Sequence, residues 1–250
     1  MKVPTIVCMT SDKYIDAVRP FIWLLKKYWG AGDGPVDVLV AGFTKPEFSL
    51  NDFGMNPDVH VDFHSIGKFE DYPISKWSDS LIDLLGQIDD EYIILMLEDY
   101  WVIRGVNVPA IKLAHSYMQK YPKTLKFDLA ADRLYAAGAI RNFRFEGWLD
   151  IVKSDIESPY HMSLMTGMWH TGWLKEVLVP GWNPWDVEIA GTSHLKNFPH
   201  LDVVGSEQWP IRHTLAFRSG DPTKLLLENI QREDVYTMKQ LGFFKKWDIQ

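Results

Sequence analysis

Two carboxylates stand side by side at the end of an apolar run: Tyr92-Ile93-Ile94-Leu95-Met96-Leu97 leads into Glu98 and Asp99, and two aromatics, Tyr100 and Trp101, follow. Successive side chains of an extended segment point to opposite faces, so the two acids cannot both turn to one core. Unpaired, they would repel each other and each would carry a desolvation cost. A divalent cation, manganese or magnesium, resolves the conflict when substrate phosphate oxygens lie on its far side, because hard cations take carboxylates and phosphates together. That gives Asp99 and Glu98 the metal-ligand role. The plainer alternative is a surface loop with two solvated acids; the buried-looking run ahead of the pair and the aromatics behind it weigh against it.

A second constellation lies in GWNPWDVEIAGT (181–192). Asn183 followed by Pro184 reads as a helix N-cap and first helical residue, which puts Asp186 at the third position, where an acid completes a capping box. Glu188 has no such structural duty and stands among Trp185, Val187 and Ile189. A carboxylate against aromatic surface holds its proton more tightly and suits general-base work. Glu188 is therefore the first catalytic candidate, with Asp186 in reserve. Trp182 and Trp185 offer faces on which sugar rings stack. Arg133 in AADRLY and Arg141 in AIRNFRF are cations for a phosphate or an acidic acceptor, or for plain surface ion pairs. His170 is the histidine expected nearest the cleft. FFKKW (243–247) mixes base and aromatic, which suits a phosphorylated acceptor or simple packing.

The elements that must position these groups alternate. TIVCMT (5–10) reads as a buried strand, and the next segment as a helix capped by Ser11 or Asp12, with Pro20 at a kink or the start of a second segment and Gly30 at its end. VDVLVAG (36–42) and VHVDFHSIG (59–67) read as strands, SKWSDSLIDLLGQI (75–88) as an amphipathic helix, and EYIILML (91–97) as a strand buried on both faces. That order predicts an α/β fold: a mostly parallel, Rossmann-type central sheet with flanking helices. Ligands of such sheets bind beyond the carboxyl ends of the strands, where Glu98 and Asp99 fall. After a helix over 108–122, shorter aromatic and Gly-containing pieces predict an elaborated mixed second half, closed by a helix over 223–242. No linker or repeat divides the chain, so residues 1–250 are expected to form one domain, with halves 1–104 and 105–250.

Composition sets bounds. The formal net charge of −7 argues against a surface built wholly for polyanions. A lone cysteine, Cys8, excludes a disulfide framework and suits a reducing compartment. No apolar stretch approaches the ~18 residues of a membrane span, and the apolar N-terminal run is too short for a secretory signal, so the cytoplasm is expected. The 11 Trp, 10 Tyr and 13 Phe suit a well-filled core and also carbohydrate stacking.

The segments TSDKYIDAVRPFIWLLKKYW, WSDSLIDLLGQIDDEYIILMLEDYW and NPWDVE, in this order and spacing over most of the chain, resemble bacterial and phage sugar transferases of the capsular-polysaccharide type, which have a GT-A fold. The resemblance implies a glycosyltransferase that moves a sugar from a nucleotide-sugar donor, UDP-linked, to an acceptor hydroxyl with a metal's help. It places Glu98-Asp99 where the family has its DxD-like element; here the pattern is Glu-Asp. It assigns the nucleoside to Thr10, Ser11, Asp12 and Lys13, with Trp77, Asp79 and Glu98 beside them. Asp12 also reads as a plain N-cap and Asp79 as part of a capping box. The second half is then the acceptor side, with Glu188 or Asp186 as base and Arg133, Trp182 and Trp185 around the sugars, joined by Trp101 from the first half. The acceptor is a glycan or, less readily for so acidic a chain, a modified phage DNA base. The competing reading is a non-catalytic carbohydrate-binding protein on a degenerate GT-A scaffold.

Overall fold

The computed structural model describes residues 2–51, 56–218 and 220–247. The first half runs β1 (Thr5–Met9), α1 (Ile15–Tyr28), β2 (Val36–Gly42), β3 (Val59–Ser65), α2 (Trp77–Leu85), β4 (Tyr92–Leu97) and the short β5 (Tyr100–Val102). Then follow α3 (Val108–Lys120), β6 (Thr124–Asp128), α4 (Asp132–Tyr135), β7 (Ile140–Glu146), β8 (Leu149–Lys153), β9 (Gly167–His170), α5 (Thr171–Val177), α6 (Pro184–His194) and β10 (Asp202–Ser206). The chain closes with β11 (His213–Leu215), β12 (Phe217–Arg218), β13 (Asp221–Pro222), α7 (Lys224–Asn229) and α8 (Arg232–Gln240).

A sheet of nine strands, in the order β3-β2-β1-β4-β9-β6-β10-β8-β7, forms the centre. The strands β3, β2, β1 and β4 run parallel, with Ile6 opposite both Val38 and Ile94. β9 is inserted antiparallel between β4 and β6, and β8 runs antiparallel to β10 and β7. The architecture is the expected α/β one, a mostly parallel sheet with helices on both faces and a mixed second half.

Burial on both faces explains the continuous apolar strands. In β4, Ile94 and Met96 join Ile6 and Cys8 in the core under α1 and α3, while Ile93 and Leu95 join Val7 and Met9 in the core under α2, α5 and α6. Among the described residues no helix is long and apolar enough to cross a membrane.

Three local expectations are corrected. Neither Ser11 nor Asp12 caps α1: the helix begins after Tyr14 with no side-chain cap, and Pro20 lies inside its single span. Trp29, before Gly30, is the residue that ends it. The C-terminal helix is two helices, α7 and α8, because Ile230 and Gln231 adopt extended backbone between them.

Candidate active site at the carboxyl ends of β1 and β4

Strand order reverses between β1 and β4, since the chain builds outward through β2 and β3 before returning to the other side of β1. Such a switch point leaves a crevice beyond the carboxyl ends of the two strands. A cleft of about 980 Å³ occupies it, floored by Met9, Thr10 and Ser11 after β1 and by Leu97, Glu98, Asp99 and Tyr100 after β4. Its other walls come from the second half: Asp132 and Arg133 of α4, Ser163 and Leu164 before β9, Trp185 and Glu188 of α6, and Arg218 of β12.

The two acids answer to different surroundings. Glu98 is only 8% exposed, and burial, reinforced by the charge of Asp99, pushes its pKa well above the carboxylate range. Asp99 is half-buried, and burial together with the charge of Glu188 pushes its pKa up to about 6 against the opposing pull of its own backbone amide. Its Oδ1 is buried without a hydrogen-bond partner among the described residues. The turn carrying both acids is pinned by Trp101, whose Nε1 donates to the Glu98 carbonyl at 3.1 Å, and by Ala216, whose amide donates to the Asp99 carbonyl at 2.7 Å.

Glu188 projects from the second turn of α6. One oxygen accepts the Leu164 amide at 2.8 Å. Burial still raises its pKa, with Asp132 adding to the shift while the Leu164 amide and Lys126 oppose it. Beneath it lies a buried ionic set in which Asp128 pairs with both Lys126 and Arg133. Lys126 also donates to the Ser163 carbonyl at 2.6 Å, and Arg133 Nη2 to the Tyr160 carbonyl at 3.0 Å. A Cβ at Gly205 would come within 2.9 Å of Arg133 Cβ, so glycine there makes the room that Arg133 needs. Asp132 accepts the Ser163 hydroxyl at 2.6 Å, and burial raises its pKa as well.

Thr10, Ser11, Trp77, Glu98, Asp99, Arg133, Trp185 and Glu188 all line this one cleft. Lys13, Asp12, Asp79, Trp101, Trp182 and Asp186 do not. Asp12 instead accepts from the Thr44 amide at 2.9 Å and hydroxyl at 2.8 Å, tying the ends of β1 and β2 together. Asp79 accepts the Gly181 amide at 2.6 Å rather than capping α2. Trp101 is fully buried, with Phe217 edge-on at 5.2 Å and Phe244 stacked at 6.1 Å, so it has no face left for a sugar. Trp182 meets the ring of His194 at 5.8 Å, nearly perpendicular to it. His170 pairs with Tyr92 across β4 and β9, at the end of the sheet opposite the acids, so it is far from the cleft it was expected to adjoin. Of the two lysines of FFKKW, Lys246 donates to the Lys13 carbonyl and pairs with Asp16, both at 3.0 Å.

Asp186 forms the capping box with Asn183, its Oδ2 accepting the Asn183 amide at 3.2 Å while Asn183 Oδ1 accepts the Asp186 amide at 2.9 Å. Asp186→Ala should therefore cost about 1 kcal/mol of stability, read as a lower midpoint in urea, with nucleotide affinity unchanged. A loss of affinity without a loss of stability would move Asp186 into the site chemistry.

Sequence reasoning passed over Asp132, Tyr160, Ser163 and Arg218. The signal for the ionic set was present in TLKFD, where Lys126 and Asp128 alternate on one face of a strand that is otherwise apolar. Nothing local marks Arg218, which reaches the cleft only through the pairing of the C-terminal segment with β5.

The fold and the cleft define an α/β protein with an open crevice at its switch point. No family model and no curated protein matches the chain. Among solved structures it is similar over its whole length to S. aureus TarS 1–349, at 12% identity and a TM-score of 0.48, covering 67% of that chain. It is likewise similar to the same fragment in complex with UDP, at 13% identity, a TM-score of 0.47 and 67% of that chain. Against S. aureus TarS the identity is 12% and the TM-score 0.47, and the chain covers 41% of that protein.

Proposed function

We propose that the protein is a glycosyltransferase that moves a sugar from a nucleotide-sugar donor, UDP-linked, to a hydroxyl of a glycan acceptor. The observation that carries this reading is the pairing, across one switch-point cleft, of Asp99 at the end of β4 with a second carboxylate, Glu188, whose burial makes it a stronger base. Thr10, Ser11 and Trp77 supply hydroxyls and an aromatic face on the donor side. Tyr135, Tyr160 and Trp185, each more than half exposed on the cleft lining, supply stacking faces on the acceptor side.

Asp99 is the residue that would hold a divalent cation, since its buried Oδ1 lacks a partner among the described residues. Glu98 is buried beside it and holds its proton more tightly than a free carboxyl does, and the described residues hold no group of three or more His, Cys, Asp or Glu side chains placed to bind a metal. The donor set therefore fits an open site that substrate phosphates and water complete, as magnesium sites commonly are. Such a cation, when bound, offsets charge on the leaving diphosphate. Glu188 takes the proton of the acceptor hydroxyl, and α6, anchored through the Glu188–Leu164 hydrogen bond, sets where that proton is received.

Calorimetric titration with UDP, GDP and TDP, in manganese and then in EDTA, tests the donor site. UDP binding in manganese, lost in EDTA and in Asp99→Ala, is the expected result. A protein that ignores every nucleotide yet binds glycans would be lectin-like and would end the transferase reading.

A further inference from the structure

A donor diphosphate beside Asp99 carries more negative charge together with that carboxylate than one divalent cation offsets, so further positive charge is needed in the cleft. Two cations line it. Arg133 is engaged by Asp128 and the Tyr160 carbonyl. Arg218 is exposed on the cleft wall, and its guanidinium has no hydrogen-bond or ion-pair partner among the described residues.

Its backbone, by contrast, is fastened to the acid turn. β11 pairs antiparallel with β5, Leu215 standing opposite Tyr100, and the next residue, Ala216, donates its amide to the Asp99 carbonyl at 2.7 Å. Phe217 is then clamped between Trp101 at 5.2 Å and Trp247 at 4.3 Å. Arg218 follows directly, so an exposed guanidinium without a partner among the described residues starts from a fixed point two residues past the contact to Asp99.

We propose that Arg218 binds the diphosphate of the donor and holds it as it departs. The inference rests on the donor-site reading above. In the transfer, the bond from the anomeric carbon to the diphosphate oxygen breaks with its electron pair passing to that oxygen. The acceptor oxygen bonds to the anomeric carbon and its proton passes to Glu188. Arg218 meets the charge that gathers on the diphosphate through a planar fork of N–H donors that matches phosphate oxygens in pairs.

Calorimetry with uridine, UMP and UDP on the wild type, Arg218→Gln and Arg218→Lys tests this. Arg218→Gln should weaken UDP by roughly 10- to 100-fold, the worth of a charge-assisted hydrogen bond, while uridine affinity stays within about twofold, which also shows that the variant is folded. Arg218→Lys should recover part of the loss, as a point charge without the fork. Unchanged UDP affinity in Arg218→Gln, or an equal loss for uridine, would overturn the role of Arg218 and leave the donor site standing. A wild type that binds none of the three would remove both.

Discussion

Glu188→Gln is expected to slow sugar transfer by about 10²- to 10⁴-fold, the usual worth of a general base, while UDP affinity stays within about twofold. The amide can keep the Leu164 contact, because its oxygen still accepts that N–H, which now holds the carboxylate at 2.8 Å. What it loses is the ability to take a proton. The wild type should therefore lose rate on the acid side as Glu188 protonates, and burial places that decline above the ordinary carboxylate value of 4.5. In Glu188→Gln this acid limb should vanish along with the rate. UDP release in the presence of acceptor, followed across pH, is the measurement. Full rate in Glu188→Gln together with loss of rate in Asp186→Asn would hand the base role to Asp186, despite its capping box.

The parts of this site legible in the sequence were those whose cause is local. A strand buried on both faces reads as an unbroken apolar run, so β4 and the position of Glu98 and Asp99 at its end followed directly from YIILML. The capping box is a property of four consecutive residues, and it separated Asp186 from Glu188. What escaped depends on tertiary pairing. Trp101 was expected around the sugars, and only the packing of Phe217 and Phe244, over a hundred residues on, shows that its ring is enclosed. His170 was expected near the cleft, and only the insertion of β9 antiparallel beside β4 shows that the end of β9 lies away from the acids. Arg218 was invisible for the same reason that it is useful: it reaches the cleft on an element fastened to it from the far end of the chain.

Asp99→Asn should produce opposite effects on stability and binding. The pKa of Asp99 is raised in the fold, from 3.8 to about 6, so the native state binds this proton more tightly than the unfolded chain does. The stability this contributes is fully present below pH 4 and is lost as pH rises through 6. The shift is equivalent to about 3 kcal/mol, and partial exposure of the carboxylate reduces that to roughly 1–2 kcal/mol at pH 8. Asparagine removes the charge, so the variant should melt a few degrees higher than the wild type at pH 8 and at nearly the same temperature at pH 4, while metal-dependent UDP binding disappears. Glu98 and Glu188 are shifted in the same direction by the same burial, so the wild type itself should gain stability on mild acidification. A variant less stable at pH 8 would mean that the Asp99 carboxylate has a stabilising partner in the fold. A stabilised variant that no longer binds would mean that the fold tolerates an unfavourably placed anion at the end of β4, and that the compensation comes from what the cleft binds.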